Sequence, residues 1–210
     1  LYPKHCRWFA KFATNRLVLA CSKKARPINQ KNWLEVLAAP QTRWGHADPD
    51  ADPCGYRALL ALQLAEKLYR KKGLYNLLLK HKGRLVRPKS VELVTLLQAG
   101  ELDYAFEYAS VAVQHGLRYI ELPAQVNLGE QKWADFYKNA ELRLSDSTVV
   151  VGEPIVYGVG VTRKAQNPEA ALAFVKMLLS DVGRRIFKRH GQKQITPVFF
   201  GDTPRELQGR

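Results

Sequence analysis

Apolar positions along this chain fall into short extended runs and longer helical stripes, and the two kinds alternate. Residues 15–21 (NRLVLAC) form a brief apolar run after a polar residue, which predicts a buried strand. Residues 23–31 read as a basic loop. Asp52 then supplies a helix cap, Pro53 suits the first turn and Gly73 after Lys72 supplies a stop, predicting a helix from about 53 to 72. Its apolar stripe is Leu60, Leu64 and Leu68 with Leu59, Ala61 and Ala65, while Lys67, Arg70 and Lys71 fall largely elsewhere. A second helix fits 90–99, opened by Pro88 and Ser90, closed by Gly100 and packed through Val91, Leu93, Val94 and Leu97. The aromatic segment 104–108 (YAFEY) predicts a strand, 110–116 a short helical piece and 119–122 another strand. After a polar, aromatic stretch at 131–146, residues 148–161 are strongly β-prone and broken by Gly152 and Pro154. Asn167 and Pro168 cap a last helix ending near Leu179.

Strands alternating with helices predict an α/β fold with sheets covered on both faces and ligands at the carboxyl ends of strands. The two extended apolar runs bracket a central block the size of a small domain, and are expected to pair as crossover strands between two lobes. The length of 210 residues and a hydrophobic share of 46% exclude a disordered or fibrous chain. No run approaches the roughly 18 apolar residues of a membrane-spanning helix. The chain starts at Leu1 without an initiator Met, a basic n-region or an apolar h-region, and so reads as a fragment.

The formal charge of +14 changes the picture through its distribution. Residues 1–33 carry eight Lys or Arg and no acid, and residues 67–89 carry nine and no acid. Nucleic acid is the obvious suspicion, but zinc-finger spacing, an RNP-like aromatic motif and a basic region leading into heptads are all missing, so no nucleic-acid partner is expected. An anionic small ligand or a membrane surface would benefit equally from such faces. Cys6, Cys21 and Cys54 are odd in number and lack CxxC spacing, which indicates neither a disulfide framework nor structural zinc. The five histidines stand far apart and receive no role.

Candidate chemistry centres on DPDADPCGY, where Asp48, Asp50 and Asp52 alternate before a helix start in a basic protein. An EF-hand is rejected, since counting from Asp48 puts Pro53 where Gly is needed and Leu59 where Glu is needed. Asp48 and Asp50 suit a polar turn. The helix opened by Asp52 is expected to offer unpaired N–H groups at Cys54 and Gly55, an oxyanion cradle in which Gly allows close approach. A carboxylate beside an anion is repulsive unless the anion's centre accepts carboxylate oxygen. Sulfate and phosphate are saturated, whereas hexavalent molybdenum and tungsten expand their coordination. Glu107, inside the YAFEY strand, is a second acid in an expensive place unless paired, exposed at the strand end or ligating something.

These residues resemble the archaeal-type tungstate/molybdate-binding proteins of ABC importers. FATNRLVLA (12–20), DPCGYRAL (52–59), PKSVEL through GELDYAFEYASVAVQHGLRYIELP (88–123), GEPIVYGV (152–159), NPEAALAFVKMLLS (167–180) and HGQ (190–192) follow that family's order and approximate spacing. The resemblance implies a type II periplasmic-binding-protein-like α/β fold, two α/β lobes joined by crossover strands, with the first lobe incomplete in this chain. Residues 1–22 would end lobe 1 and form the first crossover strand, 23–147 would be lobe 2, and 148–210 would be the second crossover strand and the return to lobe 1. It also implies an oxyanion enclosed between the lobes, with Asp52 and Glu107 as ligands to the metal centre and Cys54 and Gly55 as backbone donors. Tyr108 maps near the oxyanion, and equally suits a packed core tyrosine. Cys21, Thr162 and Arg163 depart from the family pattern away from these positions. The serine-bearing loops that hold the oxo groups in the family would precede this chain.

The implied function is an extracytoplasmic substrate-binding protein that hands tungstate or molybdate to an ABC importer permease, with no cofactor. The alternative is the oxyanion-sensing effector domain of a transcription regulator, separable by upstream sequence. An enzyme is not expected, because no Ser-His-Asp, Cys-His or HExxH constellation assembles from local motifs.

Overall fold

The computed structural model of the chain describes residues 2–207 and divides it into two compact units, one running from Arg16 to Ile155 and the other formed by the chain up to Asn15 together with the chain from Val156. The outermost parts of the expected segments 1–22 and 148–210, residue 1 and residues 208–210, lie outside the described residues.

The smaller unit begins with β1 (Trp8–Thr14). The larger unit then carries β2 (Leu17–Cys21), α1 (Trp33–Ala38), β3 (Trp44–Ala47), α2 (Pro53–Tyr69), α3 (Leu74–Leu79), β4 (Arg84–Arg87), α4 (Ser90–Ala99), β5 (Tyr104–Tyr108), α5 (Ala109–Gln114), β6 (Arg118–Glu121), α6 (Ala134–Tyr137), β7 (Glu141–Arg143) and β8 (Val149–Val151). The chain returns to the smaller unit with β9 (Val156–Val159), α7 (Pro168–Leu178), α8 (Asp181–Arg189) and β10 (Lys193–Gly201).

The larger unit is built on a five-stranded sheet in the order β4-β3-β5-β2-β6. β3 runs parallel to β4 and β5, whereas β2 runs antiparallel to β5 and β6. Side chains of adjacent strand residues face opposite ways. Leu17 and Leu19 of β2 and Tyr104 and Phe106 of β5 therefore join the main core, which α2 fills with Leu59, Leu60, Leu62 and Leu64. The other face receives Ala20 and Ala105 against Leu93 and Leu97 of α4. It is also the face to which the alternation assigns Glu107. β7 and β8 form a separate two-stranded ribbon.

In the smaller unit β1 lies between β10 and β9, antiparallel to both, with Trp8, Ala10, Val175 and Leu207 as its core. Pro197 falls within β10, an edge strand, where a missing N–H breaks no ladder.

Two expectations are corrected. The two extended apolar runs do not pair with each other, because β2 is flanked by β5 and β6 and the partner of β9 is β1. Gly73 does not end α2 either. The helix stops at Tyr69 because Arg70 adopts a left-handed φ of 53° and its N–H bonds back to Glu66 and Lys67. Gly73, at φ 86°, instead opens α3, a conformation glycine adopts without steric cost.

Candidate functional site

The parallel strands β3 and β5 deliver the chemistry at their carboxyl ends. β3 runs into the turn 48–52 and then α2, and β5 ends at Glu107 and Tyr108 before α5. The turn is tied locally, with the Asp50 N–H donating to Asp48 Oδ1 at 2.9 Å and the Ser145 N–H to Asp50 Oδ1 at 2.7 Å. Asp48 and Asp50 are thus turn-forming residues, as the spacing suggested.

Asp52 caps α2 in extended geometry, φ −146° and ψ 127°, with Pro53 as the first helical residue. Its Oδ1 accepts from the Cys54 N–H at 2.8 Å and its Oδ2 from the Ser90 N–H at 3.0 Å. One carboxylate therefore serves the starts of two helices, α2 and α4. Lys89, beside Ser90, returns its ammonium to the Ala51 carbonyl at 2.5 Å. The Gly55 N–H donates to the Asp52 carbonyl at 2.9 Å. The expectation of unpaired N–H groups at Cys54 and Gly55 is therefore corrected: both are engaged by Asp52. Gly55 is needed for another reason, because a Cβ there would stand 2.4 Å from the Ala47 carbonyl oxygen.

Glu107 is fully buried in β5, opposite Val18 of β2. Its Oε2 accepts a long 3.3 Å bond from the Tyr108 N–H, and its Oε1 has no hydrogen-bond partner. Burial raises its pKa from 4.5 to about 8, and the negative charge of Asp52 adds to the shift. The Tyr108 N–H and the Ser90 hydroxyl work against that rise without cancelling it. The two acids chosen from sequence thus belong to one neighbourhood, one ordered by two N–H donors and the other held as a neutral acid near pH 7.

Cys54 sits between them. Its thiol is fully buried, donates to the Phe106 carbonyl at 3.7 Å and is pushed well up in pKa by burial and then by Glu107 and Asp52. Tyr108 is half-buried, and its hydroxyl accepts from Arg57 Nη1 at 2.5 Å. The Arg57 guanidinium also lies 5.3 Å from the Tyr56 ring centre and 5.8 Å from that of Tyr108. Burial raises the Tyr108 pKa further, which keeps its hydroxyl protonated. With the Arg57 bond filling an acceptor position, the Tyr108 proton is free to be donated elsewhere.

Sequence reasoning missed Arg57, Lys89 and Ser90 as members of this neighbourhood. Arg57 had a local signal, since it follows Pro53 by one helical turn and shares a face with it. Ser90 had none, because its contact with Asp52 spans 38 residues. A cleft of about 300 Å³ adjoins Arg57, lined also by Tyr56, Leu60, Leu128 and Glu153, but neither acid lines it. A larger cavity of about 730 Å³ in the smaller unit shares no residue with the acids. Among the described residues no group of three or more His, Cys, Asp or Glu is placed to hold a metal ion.

The model of the bacterial extracellular solute-binding protein family matches residues 4–193. The chain belongs to this family. It is a family of binding proteins, not enzymes. An uncharacterized solute-binding protein of Petrotoga mobilis is 40% identical over 220 residues, covering 99% of this chain and 68% of that protein. The molybdate/tungstate-binding protein WtpA of Pyrococcus abyssi is 37% identical over 236 residues, covering 100% of this chain and 69% of its own length. Among solved structures, the periplasmic molybdate-binding protein of Azotobacter vinelandii superposes with a TM-score of 0.61 at 17% identity, over 93% of this chain and 70% of that one. The substrate-binding domain of a Clostridium difficile molybdenum ABC transporter gives 0.59 at 22% identity, over 89% and 67%. At those identities the likeness speaks for the fold, the type II periplasmic-binding-protein class.

Proposed function

We propose that this solute-binding protein captures tungstate or molybdate outside the cytoplasm and delivers it to an ABC importer permease, with Asp52 and Glu107 adding carboxylate oxygens to the metal centre. The observation that carries the reading is the unpartnered, fully buried Oε1 of Glu107 beside Asp52. A buried carboxyl oxygen without a donor costs stability, and a large hexavalent centre able to expand its coordination would relieve that cost where a saturated sulfate or phosphate would not. WtpA, aligned over the whole chain, bears the name of a molybdate/tungstate binder, which supports the same ligand class.

Tyr108 would donate its hydroxyl proton to an oxo group, with Arg57 orienting it. Cys54 and Gly55 would shape the wall beside the acids, their N–H groups remaining with Asp52. Family membership favours transport over the regulator reading.

Calorimetric titration with tungstate, with sulfate as control and Glu107→Gln alongside, tests the proposal. The expected result is tight tungstate binding that sulfate does not displace, weakened by at least about 100-fold in the variant, since losing even a residue that only supports a metal ligand costs up to about that much. Equal affinity for sulfate, or an unaffected variant, would sink the carboxylate reading.

A further inference from the structure

Parts of the two acid-free basic stretches, remote in sequence, meet at one end of the larger unit: the loop around Lys31 and the segment 70–82. Tyr69, the last residue of α2, donates its hydroxyl to the Gln30 carbonyl at 3.2 Å, and Trp33 Nε1 lies 3.5 Å from that hydroxyl. The loop bearing Lys31 is thereby fastened beside the end of α2. Lys31, Arg70, Lys71, Lys72, Lys80 and Lys82 are all exposed. Little negative charge answers them. Glu35 reaches Lys71 only at 3.9 Å, and Glu66 spends its Oε2 on the Tyr75 N–H at 2.8 Å.

Within this cationic setting stands α3, six residues bracketed by lysines. Leu78 is fully buried, and Leu74, Tyr75 and Leu79 pack on the same core. Leu77 alone among its leucines turns outward, 53% exposed. A lone exposed leucine is ordinary on a protein surface. One held at a short helical tip between Lys72 and Lys80 combines an apolar probe with a concentrated positive field.

We infer that this end of the larger unit is a docking surface for an anionic lipid bilayer, Leu77 entering the boundary between headgroups and acyl chains while the surrounding lysines and arginines meet lipid phosphates. A nucleic-acid backbone would answer the charge but offers Leu77 no apolar phase, whereas an anionic bilayer supplies both. The surface lies at the opposite end of α2 from Asp52. Seventeen helical residues at about 1.5 Å each separate the two by about 25 Å, so docking leaves the acids uncovered. The inference stands apart from the ligand proposal.

Co-sedimentation of the chain with vesicles of phosphatidylglycerol and phosphatidylcholine in equal parts, against phosphatidylcholine alone, tests it. Binding is expected only to the anionic vesicles, falling about fivefold for each of Lys72→Gln and Lys80→Gln. Leu77→Ser is expected to abolish the part of the binding that survives high salt, where the field is screened. All three positions are exposed, so unchanged melting of the variants shows that a loss is not unfolding. No preference for anionic vesicles overturns the inference. So does a Leu77→Ser variant that binds like the parent while the parent binds duplex DNA equally well, which would mark a plain polyanion surface.

Discussion

The two ends of α2 carry charge under opposite rules. At the amino end Asp52 is held by two N–H donors, Cys54 is sealed and Glu107 is buried with an oxygen unanswered. At the carboxyl end Arg70 turns the chain with φ 53° and its neighbours extend cations into solvent. Burial makes each group at the first end individually consequential, since desolvation and a single neighbour shift its ionisation. Exposed cations act as a sum, through a field that salt screens within about 10 Å. One helix thus joins a place where single atoms matter to one where only totals do.

The largest expected effect attacks the first end through pH. Glu107 titrates at about 8 in the folded chain against an ordinary 4.5. Between those values the folded state retains a proton that the unfolded state has released. Its contribution is therefore fullest below about pH 4.5, declines as pH rises toward 8 and levels off above. Denaturant unfolding of Glu107→Gln should lose this decline, so that the variant gains on the parent by a few kcal/mol between pH 5 and pH 9. Parallel pH profiles for the two proteins would show that Glu107 is not held as a neutral acid.

Next in size is Asp52→Ala, expected to cost about 2 kcal/mol because it removes the cap of α2 and strands the Ser90 N–H together. Thermal unfolding measures it. A cost no larger than that of an ordinary surface substitution would mean the shared carboxylate does not hold the two helices. The smallest effect belongs to the other end. Lys72→Gln and Leu77→Ser should each leave stability within about 0.5 kcal/mol, and a larger drop would show that the solvated end is structurally committed after all.

Much of the amino end was legible in sequence. Asp52 and Pro53 announced α2, Ser90 and Gly100 bounded α4, and YAFEY was read as a strand with the boundaries it has. Those signals are local, set by caps, turn residues and side-chain alternation. What stayed hidden depends on partners far along the chain. β3 (WGHA) and β4 (RLVR) are four residues each and owe their extension to pairing with neighbours, not to their own pattern. Pro197 disguised β10, which its edge position permits. Cys54 and Gly55 looked like free donors because the Asp52 side chain and carbonyl that occupy them become visible only when the turn closes. The basic end was hidden similarly, since nothing in either acid-free stretch announces the Tyr69 to Gln30 bond that places them together.

The carboxylate shared by α2 and α4 also sets which parts of this chain can be altered independently. Asp52 and Ser90 form a clasp between positions 38 apart in the chain. Whatever lengthens, shortens or rewrites α3 and its lysines changes the material hanging from that clasp, not the clasp itself, provided both ends return to the same register. Segments 52–57 and 88–92 thus act as one mechanical piece, and the exposed positions around α3 can be rewritten while the acid pair keeps its geometry.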